Sequence, residues 1–271
     1  MASHGMSLLL KKPLSLHPLH SFHQLTPCLT SQWARIIISP PISIRHEPHR
    51  HAHTLLKSTG NDAFHTALES NKTWREQIAQ SDPDLFPALA KGQSPQILWL
   101  GCSDSRCPET TLLGLKPGDV FVHRNVANIF TPTDLSSASV LAFAVGALKV
   151  KHVVVCGHTK CGGVAAALGA DSKGGVLDAW LGPLRRVRAD LAPQWDKDGV
   201  SAEERSKQLI EGNVRSGVRT VRENGTVVAA MKEGLKVHGV IYDVGSGELQ
   251  EIDCEEGDDE KGRREGVFAL N

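Results

Sequence analysis

The chain has 271 residues, 40% of them hydrophobic, enough to bury one full-sized core with extensions. Thirty basic residues balance thirty acidic ones, which argues against nucleic acid or an anionic membrane as the main partner. No apolar run approaches the roughly 18 residues of a membrane span; six unevenly spaced cysteines in so long a chain favour metal binding or reactive thiols over a disulfide framework.

Residues 1–60 differ from the rest. Glu47 is their one acid against Lys11, Lys12, Arg35, Arg45, Arg50 and Lys57, and eight of the thirteen histidines fall here. A basic, Ser-rich, acid-poor segment is the composition of an organellar transit peptide. The expectation is a removable leader over 1–58 that directs the chain to the mitochondrial matrix, followed by one folded domain over 59–271. The run "RHEPHRHAH" can chelate metal, but such tracts do so promiscuously, and in a leader it is incidental.

From residue 61 the pattern changes. The stretch 61–80 predicts a helix, and Gly92 and Pro95 close the segment after it. Short β-branched runs predict strands over 96–101, 119–124, 152–157 and 237–244, with an edge strand over 247–253. The stretch 134–150 is apolar on nearly every face and predicts a buried helix. A further helix over 201–225 opens with Ser201 and Glu204 in capping-box spacing and closes on Gly225. Leu209, Ile210, Val214, Val218 and Val221 form its stripe. The charged stretch 254–266 reads as a loose tail. Strands separated by helices indicate an α/β fold, a mainly parallel sheet core flanked by helices. Sites in such sheets lie beyond the carboxyl ends of the strands.

Two motifs fall at such ends: "CSDSRC" (102–107) and "GHTKCGG" (157–163). Three residues between Cys102 and Arg106 are too few for a cysteine-phosphatase loop, and no Cys-x-x-Cys pair supports redox chemistry. A metal suits the pattern better. Zinc takes thiolate sulfur and imidazole nitrogen in a tetrahedron, and three protein ligands leave a fourth position for water. His158 and Cys161 provide two ligands at a strand-to-helix turn, and Cys102 a third if the strands are parallel neighbours. Bound water would then ionise near neutrality. Asp104 can accept a proton or compete for the metal, and Arg106 can hold it in a charge-assisted pair. Cys156 reads as a small core hydrophobe. Cys107 and Cys254 have no place in this set, and His123, His152 and His238 have no assigned role.

"CSDSR" followed some fifty residues later by "GHTKCGG", with "KGQSP", "GDVFVHRNVANI" and "VHGVIYDV", resembles the β-class carbonic anhydrases over about residues 61–252. The resemblance implies a zinc enzyme that interconverts carbon dioxide and bicarbonate, with one Zn²⁺ per chain on Cys102, His158 and Cys161. It implies that Asp104 and Arg106 gate the fourth zinc position. It further implies that Gln93 hydrogen-bonds substrate, that Phe121 and Val126 wall an apolar pocket, and that the Gly162 N–H faces bicarbonate. The pocket is completed across a dimer, so a homodimer or a homotetramer built from dimers is expected. Trp99, Arg124 and Tyr242 match positions that hold a non-catalytic bicarbonate in some members. Phe143 stands where many relatives have Tyr, which removes a hydroxyl there. Among rivals, a carbon disulfide-type enzyme would share the zinc set, whereas a non-catalytic bicarbonate sensor or a structural zinc protein would be favoured by a closed site with a fourth protein ligand.

Overall fold

The computed structural model describes residues 62–169 and 174–268, so the expected leader over 1–58 lies outside the described residues. The chain divides into two units, Met1–Thr66 and Ala67–Asn271. The described part of the first begins helix α1 (Ala63–Ser81), with His65 Nδ1 3.1 Å from the Asp62 carboxylate.

The second unit is organised by a five-stranded sheet, β1 (Ile97–Cys102), β2 (Val120–Asn125), β3 (His152–His158), β4 (Lys236–Tyr242) and β5 (Leu249–Ile252), in the order β2-β1-β3-β4-β5. The first four strands are mutually parallel, and β5 pairs antiparallel with β4 as an edge. All five expected strands are present, each within a residue or two of the expected ends.

Period-2 alternation sends Leu98, Leu100, Val153, Val155 and Val237 to one face of the sheet. There they meet Val214, Val218 and Val221 of helix α8 (Ala202–Arg222). Burying each such side chain stabilises the fold by about 1.5–3 kcal/mol. The close approach of helix to sheet depends on Gly157, where a Cβ would stand 2.8 Å from Val214 Cγ2. The opposite face carries a smaller cluster of Trp99, Cys107, Cys156 and Tyr242. Cys156 is buried, and desolvation pushes its thiol pKa well up, as befits a core hydrophobe.

Three sequence expectations need correction. The stretch 134–150 forms helix α4 (Leu135–Ala142), running into a π-turn at Phe143–Ala147, and only part of it is buried. Leu141, Ala144 and Val145 enter the core, but Leu135 is 83% and Phe143 48% exposed. Among the described residues this surplus apolar face stays exposed. Second, Ser201 caps α8 as expected, its Oγ accepting from the Glu204 N–H at 3.2 Å, but α8 ends at Arg222. Asn224 then accepts from the Thr226 and Val227 N–H groups and caps helix α9 (Gly225–Lys232), so Asn-Gly here starts a helix as well as ending one. Third, the tail is not loose: helix α10 (Asp258–Phe268) buries Arg264, whose Nε donates to both Glu256 carboxylate oxygens.

The remaining helices are α2 (Leu85–Leu89), α3 (Glu109–Leu112), α5 (Gly162–Leu168), α6 (Gly175–Trp180) and α7 (Gly182–Asp198). The sequence reading does not anticipate α7, because Pro193 and its charges disguise a stripe of Leu184, Val187, Leu191 and Trp195. Among the described residues no helix is long and apolar enough to cross a membrane.

Candidate metal centre

Because β1 and β3 are adjacent and parallel, their last residues, Cys102 and His158, end at the same edge of the sheet. Cys161 follows one turn later as the residue that caps α5. The three ligand atoms lie within 4.8 Å of one another and all three residues are buried. The sequence grouping is thus assembled in space.

The ring orientation of His158 is fixed by its neighbour. Nδ1 lies 3.0 Å from the Thr159 carbonyl oxygen, which can only accept, so Nδ1 carries the proton. In the neutral ring Nε2 is then the lone-pair nitrogen, and it is buried without a hydrogen-bond partner. A buried lone pair facing two cysteine sulfurs is what a tetrahedral cation requires, and the Cys–His–Cys set fits zinc. Thr159 is itself held on three sides. Its N–H donates to Tyr242 O at 2.9 Å, its hydroxyl donates to Asp243 Oδ1 at 3.2 Å, and Val244 N–H donates to that hydroxyl at 3.1 Å.

Charge in the cluster is set by the sulfurs. Cys102 is lowered to about 4, chiefly by a hydrogen bond with Cys161, which outweighs the opposing burial. His158 and the backbone N–H groups of Asp104 and Ala127 add to that lowering. Cys161 is correspondingly held up as a thiol by the neighbouring Cys102 charge and by burial, while the Gly163 and Val164 N–H groups face its sulfur. Burial disfavours charge on His158, yet the Cys102 and Cys107 sulfurs prevail and push it up to about 10. Cys107 thus acts on the charge of His158 from the neighbouring buried cluster, which its sequence position did not reveal.

Asp104 lies beside these groups, Oδ2 3.9 Å from His158 Nε2. Arg106 grips it in a fork, Nε to Oδ1 at 2.9 Å and Nη2 to Oδ2 at 2.6 Å, with the Arg106 N–H on Oδ1 at 3.0 Å. Arg106 Nη2 also donates to Lys160 O at 3.1 Å, tying the two motifs together. The Arg106 guanidinium holds the Asp104 carboxyl well below the usual carboxylate range.

The other expected residues divide into two groups. Val126 and Gly162 lie at the cluster's end of the sheet: Val126 follows β2, whose last residue Asn125 is level with Cys102, and Gly162 adjoins Cys161 with open space where a Cβ would be. Gln93 and Phe121 lie at the other end. Gln93 precedes β1, whose six residues span about 17 Å at ~3.3 Å per step, and Phe121 is level with Leu98. Phe121 meets the exposed Phe143 ring at 5.7 Å. One chain therefore does not bring its own Gln93 and Phe121 to its own Cys102. Trp99 and Tyr242 share one buried cluster. Arg124 has two of its three nitrogens engaged: Nε reaches Cys102 O at 2.7 Å and Nη2 reaches Asp104 O, while Nη1 stands 3.8 Å from Glu109, beyond hydrogen-bond reach.

The turn after β2 was not legible in the sequence. Ala127 and Asn128 both adopt positive φ, 63° and 45°, without being glycine. Gly163 permits the packing: a Cβ there would be 2.7 Å from Ala127 Cβ.

Residues 97–249 match a family described as carbonic anhydrase. The chain is 43% identical over 193 residues to a carbonic anhydrase of Emericella nidulans, covering 69% of this chain and 82% of that one. It is 40% identical over 188 residues to one of Candida albicans, covering 69% and 66%. Among solved structures, a β-carbonic anhydrase of Aspergillus fumigatus superposes with a TM-score of 0.75 at 52% identity, covering 78% of this chain and all of that one. One of two tetrameric β-carbonic anhydrases of Sordaria macrospora follows at 0.70 and 49%, covering 73% and all of it. With the same parallel sheet and the family match spanning both motifs, the chain belongs to the β-class carbonic anhydrases, enzymes whose general reaction is the hydration of carbon dioxide.

Proposed function

We propose that the chain hydrates carbon dioxide reversibly with one zinc ion held by Cys102, His158 and Cys161. The observation that carries this is the buried, unpartnered Nε2 of His158 within 4.8 Å of both sulfurs. Zinc in such a site supplies Lewis acidity that brings the pKa of water to about 7. The protein's own groups do the rest. Thr159 keeps the imidazole in the tautomer that offers Nε2, as an outer-shell carbonyl does for a ligating histidine. Asp104, ionised and gripped by Arg106, is too weak a base to keep a proton; it orients a hydroxyl donor by accepting its hydrogen bond. The same grip keeps its carboxylate off the metal, and release from Arg106 closes the site. Val126 lines the approach of an apolar substrate, and the Gly162 N–H faces the product.

The separation of Gln93 and Phe121 from Cys102 supports a pocket completed by a second copy of the chain, in a homodimer or a dimer of dimers. The exposed Leu135 and Phe143 offer apolar surface for that contact. On composition, residues 1–58 act as a mitochondrial leader and 59–271 as the catalytic domain. A 31% identical relative in Arabidopsis thaliana is named as mitochondrial, in keeping with this assignment. Trp99, Arg124 and Tyr242 form a second, regulatory bicarbonate site, for which an anion must compete with the carbonyls that Arg124 now engages and with the nearby Glu109 carboxylate.

The test is carbon dioxide hydration by the zinc-loaded chain before and after chelation, beside a Cys161→Ser variant. Activity and zinc should vanish together. Full zinc retention in Cys161→Ser would sink the ligand assignment.

A further inference from the structure

Two groups far away in sequence hold the strained turn beside Cys102. The Val126 carbonyl accepts from Trp180 Nε1 of α6 at 2.8 Å, and the Ala127 carbonyl accepts from Asn213 Nδ2 of α8 at 2.8 Å. A trans peptide is planar, with its C=O and N–H pointing in opposite directions. The plane whose carbonyl Trp180 holds therefore carries, on its far side, the Ala127 N–H. Ala127 packs in the same buried cluster as Cys102 and Cys161, and its N–H is among the groups that lower the Cys102 thiol. Asn213 fixes the next plane. Between the two clamps lies Ala127, at φ 63° and ψ 25°, a region that residues with a Cβ avoid.

Strain of this kind persists only where its surroundings over-determine it, and it gathers at functional sites. Asn213 is also out of place by the logic of its own helix. It is buried beside Leu209, Ile210 and Val214 on the apolar stripe of α8, where a polar amide is costly without a partner. Its partner is the turn.

We infer that Trp180 and Asn213 are positioning residues of the metal centre, a two-point clamp that aims the Ala127 N–H at the Cys102 sulfur. An N–H directed at a thiolate withdraws charge from it, so the clamp sets how much charge Cys102 donates to a bound cation and how firmly the cation is held. The inference rests on the zinc reading above and adds two residues outside either cysteine motif.

The test uses the full chain loaded with zinc, for affinity, and with cobalt(II), whose sulfur-to-metal charge-transfer band reports thiolate charge. Trp180→Phe keeps the ring and removes the donor; Asn213→Asp keeps the shape and does the same. Each should retain the native circular dichroism, weaken zinc in chelator competition by about tenfold or more, and move the cobalt band. Ala127→Gly should restore both readouts in combination with either change, because glycine adopts positive φ without strain. A residue that merely filled space would gain nothing from that rescue. Native zinc affinity and an unmoved band in Trp180→Phe, or no recovery with Ala127→Gly, would overturn the inference. If Asn213→Asp alone fails to fold, the Ala127→Gly/Asn213→Asp pair decides: a folded, metal-binding double variant supports the clamp, and an unfolded one counts against it. A wild-type chain with no thiolate–cobalt band would instead bring down the zinc reading itself.

Discussion

Removing the Arg106 side chain should release the Asp104 carboxylate, whose Oδ2 lies 3.9 Å from His158 Nε2, toward the metal position. In Arg106→Ala the backbone N–H bond to Oδ1 survives, and the two guanidinium bonds are lost. Bonds to charged groups contribute ~1.5–3 kcal/mol each when shielded. The Arg106 side chain is 48% exposed, so screening reduces the fork to about 1–2 kcal/mol. That shifts the balance between held and released carboxylate by a factor of about 5–30. The folded-state pKa of Asp104 is depressed, so its stabilising effect is present above the unfolded value of about 3.9 and is lost as pH falls through the folded value. The carboxylate is thus anionic throughout an assay window of roughly pH 6.5–9, and any pH dependence there is not its own titration. Stopped-flow hydration should fall by about 5–30-fold near neutrality, with the loss shrinking at alkaline pH as hydroxide competes better for the open position. Added guanidinium ion should recover part of the rate. Wild-type turnover across the window would refute the gate.

Four further outcomes are open to measurement. Between about pH 4 and 10 the metal-free cluster holds a Cys102 thiolate, a His158 imidazolium and a Cys161 thiol. Zinc uptake near pH 7.5 should then release about two protons, read by calorimetry in buffers of different ionisation enthalpy, and release of none would contradict the charge pattern. The raised His158 pKa stabilises the metal-free fold below about 6.5 and that contribution is lost as pH rises through about 10. Gly157→Ala forces a Cβ to within 2.8 Å of Val214 Cγ2 and should cost about 1–3 kcal/mol in urea unfolding, with an unchanged midpoint contradicting the packing. Tyr242→Phe should weaken inhibition by high bicarbonate beyond product competition while zinc stays bound; an identical inhibition curve would remove the regulatory site.

The strands and the cysteine motifs were legible for the same reason. Val153 to Val155 and the β-branched run in β4 can bury themselves only as inner strands, and parallel inner strands bring Cys102 and His158 to one edge. What stayed hidden depends on contacts distant along the chain. Arg264 looks like tail charge until Glu256 folds back on it. Asn213 looks like a flaw in an apolar stripe until the Ala127 carbonyl is found opposite it. The positive φ of Ala127 and Asn128 has no residue-type signal, since neither is glycine. The same holds for α4 and its π-turn, whose apolar composition does not tell the buried Leu141 from the exposed Leu135 and Phe143.

The separation of Gln93 and Phe121 from Cys102 along the sheet gives the proposed dimer a genetic consequence. In the proposed symmetric dimer, each reaction chamber would take its cysteines and histidine from one copy and its Gln93 and Phe121 from the other. A chain crippled at Gln93 and a chain crippled at Cys161, each inert alone, would in mixed pairs leave one chamber with every part intact and the other with both defects. Two null alleles could then complement each other to at most half the activity of the normal pair, while two nulls at the same end of the sheet could not.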